Sequence, residues 1–208
     1  MTTPSVPGMS IPPLRLRQAV DADLQRIYGD SRPRSVVRAW LQHRTFRPVL
    51  TLRLCQASSR WPAWWGRIGH VACRFAHRWA QHQAGIDLPW NVSVGMGLRI
   101  VHGWGLVVTP GARIGSNVTL FHGATIGRKD DIAVGGERTS EFPVIEDAVW
   151  VGPHAVVVGG VRLRAGCRLA AGTVVTGDVP QAAIVGGNPM RVLRTDAVPD
   201  VLNPAVLA

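Results

Sequence analysis

Aliphatic residues return every six positions through the second half of the chain. Val94, Ile100 and Leu106 are six apart; after a two-residue offset, Val108, Ile114, Leu120 and Ile126 continue. Ile145, Val151, Val157, Leu163, Leu169 and Val175 then resume the series. A helical stripe returns every 3.6 residues and a strand face every two, so a sustained six describes one short strand and one tight turn, repeated. Four residues beyond successive inward positions stand Ala155, Val161, Cys167, Thr173 and Val179, which suit a tight corner. Gly115, Gly127, Gly152, Gly166 and Gly172 recur near the expected turns, where a missing Cβ frees the backbone. This is the hexapeptide periodicity of a parallel β-helix, and the fold class it predicts is mainly β with an α-helical annex in front.

Before the repeat, the period is helical. Residues 19–28 and 33–47 each carry helical spacing, the second through Val36, Val37, Trp40 and Leu41, and Pro48 opens a third helix. Residues 62–83 form the clearest case: Trp64, Ile68, Val71, Phe75 and Trp79 share one face, Arg67, Arg74 and Arg78 flank it, and Pro62 suits the first turn. Such a stripe either lies on a bilayer interface or, the reading given more weight, packs against neighbouring helices or another subunit. His70, His77 and His82 make no i, i+4 pair on this helix, so they are read as solvated surface rather than metal ligands. The organisation expected is a disordered tail at 1–13, a basic α-helical domain at 14–84, the β-helix at 85–190 and a C-terminal tail at 191–208; GGNPMRVLR closes the coil over its β edge, and TDAVPDVLNPAVLA after it is loosely held. Between Ile126 and Ile145 the spacing is nineteen, so residues 128–143 leave the coil as a loop.

Charge changes the picture only in its placement. Of the net +10, all sits in residues 1–86, where thirteen Arg face Asp21, Asp23 and Asp30; the remainder balances. A basic annex attracts nucleic acid, an anionic membrane or an acidic partner alike. It carries no helix-turn-helix, zinc-finger or RNA-binding motif, so nucleic acid is not expected and the membrane surface or a partner is favoured. Cys55, Cys73 and Cys167 form no CxxC pair, which suits a reducing compartment. With no apolar run long enough to span a bilayer and no secretion signal in MTTPSVPGMSIPP, a cytoplasmic protein is expected, peripheral at most at the inner membrane face.

Four stretches carry a more specific likeness: GID at 85–87, GLRIVHGWGLVV around His102, GATIG from Gly123, and AAGTVVTGDVP with IVGGNPMRV near the end. Together they resemble the hexapeptide-repeat acyltransferases, in the serine acetyltransferase-like branch that includes exopolysaccharide and capsule O-acetyltransferases. The resemblance spans residues 19–194. It implies a left-handed parallel β-helix with three hexapeptides per turn, a homotrimer able to pair into a dimer of trimers, active sites between subunits, acetyl-CoA as co-substrate and no metal. It implies that His102 is the general base, with Asp87, fifteen residues earlier, as the carboxylate that orients the imidazole. His122 and His154 also fall in coil units, and His122 is the better candidate to face the same cleft. For CoA, the resemblance points to Gly127, Gly152, Ala155, Ala171, Gly172, Pro189 and Arg191, the last suited to a phosphate.

Two positions depart from the serine-using members. They carry Asp immediately before the base and a second His at the loop's end, and here those positions hold Val101 and Phe142. Arg138 remains as a loop arginine for the acceptor. An apolar pair beside the base suits a saccharide better than a small zwitterion, so the expected function is acetyl transfer to a saccharide hydroxyl. Serine O-acetylation is the alternative, and a non-catalytic β-helix scaffold the other.

Overall fold

The computed structural model describes Ile11 and residues 14–206; the disordered tail expected at 1–13 lies, Ile11 apart, outside the described residues. Short parallel strands wind into a three-sided coil of five turns. Face A stacks Ile86–Asp87, Leu106–Val108, Thr125–Gly127, Val156–Val158 and Val174–Val175. Face B stacks Ser93–Val94, Arg113–Ile114, Val144–Ile145 and Arg162–Leu163, and face C stacks Arg99–Val101, Thr119–Phe121, Trp150–Val151, Arg168–Leu169 and Ile184–Gly186.

The six-residue beat is the inward column of these faces. Ile100, Leu120, Val151, Leu169 and Val185 lie in register up face C, all buried in one continuous core. Each such aliphatic side chain is worth about 1.5–3 kcal/mol of burial, which is why the period is kept so strictly. The two-residue offset has a local cause: the strand Leu106–Val108 turns two residues inward. Leu106 stands on Ile86 below, and Val108 stands under Ile126 above. The nineteen-residue gap leaves between faces A and B as an antiparallel hairpin, pairing Lys129–Ile132 with Arg138–Glu141.

Four helices precede the coil: α1 (Leu16–Tyr28), α2 (Pro33–Gln42), α3 (Phe46–Ser58) and α4 (Ala63–Ala84). The second stops five residues short of its expected end, because the turn at His43–Thr45 grips the coil, and the third begins at Phe46 rather than Pro48. The lowest coil turn would otherwise present an unpaired strand edge, and polar helix side chains satisfy it. Gln56 donates to the Val92 carbonyl (3.0 Å), Arg53 to those of Val94 (3.0 Å) and Gly95 (2.6 Å), and Thr45 to that of Ile100 (2.9 Å). The Leu98 N–H donates to Asp23 Oδ1 (2.9 Å), whose carboxylate also takes both Nε and Nη2 of the buried Arg53. Arg26, buried, donates to the carbonyl of Asn117 (3.0 Å) and the hydroxyl of Thr119 (2.7 Å); burial, with Arg99 nearby, brings its pKa down to about 10.

Three expectations are corrected here. His77 is buried, not solvated: Nε2 donates to the Leu88 carbonyl (2.7 Å) and Nδ1 bonds Thr51 Oγ1 (2.9 Å), while His70 bonds Ser58 (3.0 Å). The apolar stripe of α4 does not pack on neighbouring helices; Trp64, Ile68, Val71, Phe75 and Trp79 are all exposed. The helix turns Gly66, His77, Ala80 and Ala84 inward instead; a Cβ at Gly66 would strike the Trp61 carbonyl oxygen and Cβ, and one at Gly69 the Trp61 ring. Nor is the tail after residue 194 loosely held. The stretch before it closes the coil as expected, Arg191–Arg194 pairing antiparallel with Ile184–Gly186 at the upper edge of face C. Asn117 and the Ala205 backbone exchange two hydrogen bonds (2.9 and 3.0 Å), and Asp200 meets Arg168 at 3.0 Å.

Candidate active site

The edge where face C turns into face A gathers three histidines from successive turns. The rings of His102 and His122 lie 5.7 Å apart and those of His122 and His154 5.1 Å apart, both edge-on. Register explains the stack: Val101 pairs with Phe121, and the His154 N–H donates to the His122 carbonyl (3.0 Å). Among the described residues, His122 Nδ1 is the one buried side-chain nitrogen or oxygen without a hydrogen-bond partner. His102 is exposed, with a left-handed backbone (φ 63°) that costs a non-glycine residue on the order of 1 kcal/mol. The α2–α3 turn holds it there: Arg44 donates to the His102 carbonyl and stacks 3.8 Å above the Trp104 ring. No motif announces Arg44 or Thr45; their role is visible only once residues some sixty apart are brought together, and sequence reasoning missed them.

Asp87 points outward from face A beside Val107, exposed. No hydrogen bond or ion pair joins it to His102 among the described residues, so the implied dyad is not made within one chain. It lines a cleft of about 970 Å³ between α4 and residues 86–90. Val101 is half-buried and lines a small cavity of about 180 Å³ with His43, Thr45, Phe46 and His102.

Arg138 and Phe142 stand at the opposite edge of face A, where the hairpin leaves the coil. Phe142 presses on Gly111, where a Cβ would come within 2.2 Å of its ring, and Arg138 is bonded to Asp130 (2.7 Å). Among the described residues no hydrogen bond, ion pair or ring contact joins Arg138 or Phe142 to His102; their contacts are with Asp130 and Gly111 at their own edge.

The CoA-lining residues divide. Ala171, Gly172, Pro189 and Arg191 are exposed, and Gly172 continues the histidine edge, its N–H donating to the Pro153 carbonyl (2.8 Å). Gly127 is half-buried. Ala155 is fully buried in the coil core, and Gly152 is buried, a Cβ there standing 2.4 Å from the Leu169 carbonyl oxygen. Ala155 and Gly152 therefore pack the coil rather than line a surface. Among the described residues, no three His, Cys, Asp or Glu side chains converge as metal ligands.

Comparison with known proteins agrees with this architecture. Residues 142–177 match the family described as bacterial transferase hexapeptide (six repeats). Serine acetyltransferase 2 of Arabidopsis thaliana is 34% identical over 110 residues, 53% of this chain and 32% of that protein. The serine acetyltransferase of Bacillus licheniformis is 33% identical over 138 residues, 62% of each. The chain thus spans about a third to three fifths of the length of these curated relatives. Among solved structures, soybean serine acetyltransferase complexed with serine superposes with a TM-score of 0.66 at 27% identity, over 86% of this chain and 69% of that one. Serine acetyltransferase in complex with coenzyme A from Brucella abortus gives 0.65 at 25%, over 88% and 68%. In its repeats, its coil and these likenesses, the chain is similar to the serine acetyltransferases and shares their hexapeptide-repeat architecture.

Proposed function

We propose that this chain is an acetyl-CoA-dependent O-acetyltransferase with His102 as general base. The observation that carries the reading is the exposed imidazole of His102, fixed by its backbone at a coil edge along which His122, His154 and the exposed Gly172 follow. His102 takes the proton of the acceptor hydroxyl as its oxygen attacks the thioester carbonyl of acetyl-CoA. The tetrahedral intermediate collapses by breaking the C–S bond, and the imidazolium returns the proton to the departing thiolate. Burial pushes the thiols of Cys55 and Cys167 up to about 12, which disfavours an acyl-cysteine route through either.

The functional unit is a homotrimer. The separation of His102 from Arg138 and Phe142 across face A supports a site completed by the hairpin of a neighbouring copy, with Asp87 free to orient an imidazole across that boundary.

L-Serine is the favoured acceptor, because the relatives compared are serine acetyltransferases. A saccharide hydroxyl, the first expectation from sequence, is the second reading; one observation favours it, the apolar Val101 beside His102. The test is thiol release from acetyl-CoA with no acceptor, L-serine and a sugar panel. His102→Ala should lower turnover about 10²–10⁴-fold with the fold and oligomer intact; undiminished turnover would refute the mechanism, and the responding acceptor decides between the two readings.

A further inference from the structure

Helix α4 packs by the face a sequence reader would place outside. Inward go Gly66, His77, Ala80 and Ala84; outward stand Trp64 (71% exposed), Ile68 (61%), Phe75 (70%) and Trp79 (54%), with Trp65 and Val71 between them. A contiguous apolar face of this kind on a soluble chain marks an interaction surface. At 100° per residue, Arg67, Arg74 and Arg78 fall along one border of the stripe. Among the described residues, Arg67 and Arg78 make no ion pair, and Arg74 stands 5.4 Å over the Trp90 ring. No helix of the described residues is long and apolar enough to cross a membrane.

Charge decides what covers this face. Residues 63–84 contain no Asp or Glu, and residues 1–86 carry the whole +10 of the chain. A second copy meeting this face with its own α4 would bring the same arginines against these, with no carboxylate in residues 63–84 to answer them. An anionic bilayer answers both parts: phosphates meet the arginines, and tryptophan and phenylalanine settle at headgroup depth. We propose that the outward face of α4 docks on an anionic phospholipid surface. The inference does not depend on the reaction proposed above.

The test is cosedimentation of the full chain with vesicles of phosphatidylcholine alone or with about 30 mol % phosphatidylglycerol. Binding to the anionic vesicles should be at least about tenfold tighter, and should weaken as salt rises. Two variants, Trp64→Gln/Phe75→Gln/Trp79→Gln and Arg67→Gln/Arg74→Gln/Arg78→Gln, should each lose about tenfold in binding, with unchanged circular dichroism and sedimentation coefficient. Quenching of wild-type tryptophan fluorescence by brominated lipid reads the same docking without any substitution. Absence of binding and quenching at low salt overturns the proposal. So does wild-type vesicle binding by both variants, and so does an aromatic variant that changes the oligomeric state while lipid binding stays put, which would assign the face to a second copy.

Discussion

The coil and the helical region are stabilised in opposite ways. The coil buries aliphatic side chains in unbroken columns and leaves its polar residues at corners and outer faces. The helices bury Asp23, Arg26, Arg53, Thr51 and His77, yet leave four tryptophans between Trp61 and Trp79 largely outside. The difference follows from what each must satisfy. Every middle turn of the coil has turns above and below to pair its backbone, so its interior needs only shape and apolarity. The lowest turn has nothing beneath it, and its carbonyls and amides must be met by side chains. Much of the buried basic character of residues 1–86 is therefore a lid of hydrogen-bond donors on a β-helix, a use of charge that composition alone does not suggest.

The comparison breaks most sharply at the Asp23–Arg53 pair. Arg53→Met leaves Asp23 buried with the Leu98 amide as its remaining close partner and strips donors from the Val94 and Gly95 carbonyls. Equilibrium urea unfolding should show a loss of about 3–5 kcal/mol. The double variant Asp23→Leu/Arg53→Met should recover part of it, since no charge is then stranded; a double variant as unstable as the single would mean the lost carbonyl donors dominate. The matching probe of the coil, Leu120→Ala, removes a fully buried column residue and should cost about 2–4 kcal/mol by the same measurement.

These contrasts explain what could be read in advance. The six-residue period fixed the coil and its inward residues, because nothing else in the turn is so constrained. It also flagged both irregularities, the offset at Leu106–Val108 and the excursion after Gly127. For the helices, the α4 stripe was visible but its direction was not: amphipathic spacing says that two faces differ, not which one packs. The small face of Gly66, Ala80 and Ala84 packs because it lets His77 reach Leu88. At the candidate site, His102 and Asp87 were chosen by motif, whereas Arg44 and Thr45 act through backbone carbonyls, which no side-chain pattern encodes.

A smaller effect lies where the histidine edge meets the core. Gly123 has φ 67°, and a Cβ there would come within 2.2 Å of His154 Nδ1. Gly123→Ala should cost about 1–3 kcal/mol, from left-handed strain and displacement of the His154 ring. If His154→Ala in the same chain restores about half the loss, the ring contact is confirmed as one of the two causes; no recovery would assign the whole cost to the backbone.

The smallest effect separates the two regions by pH. Burial holds His77 below the ordinary histidine value of 6.5, and no comparable buried imidazole lies in the coil core. The folded state therefore binds the His77 proton less readily than the unfolded chain does. Its contribution to stability is complete above pH 6.5 and is lost as pH falls from there through the lower folded value, by at most about 1.4 kcal/mol per pH unit. His77→Gln keeps a donor for the Leu88 carbonyl without a titrating ring, so its unfolding free energy should fall less steeply than wild type below pH 6.5. Urea titrations at pH 8, 6 and 5 would read the difference. Equal slopes for the two proteins would show that the lid's acid sensitivity comes from another group, and would leave His77 as a neutral hydrogen-bonding wedge between α3, α4 and the first turn of the coil.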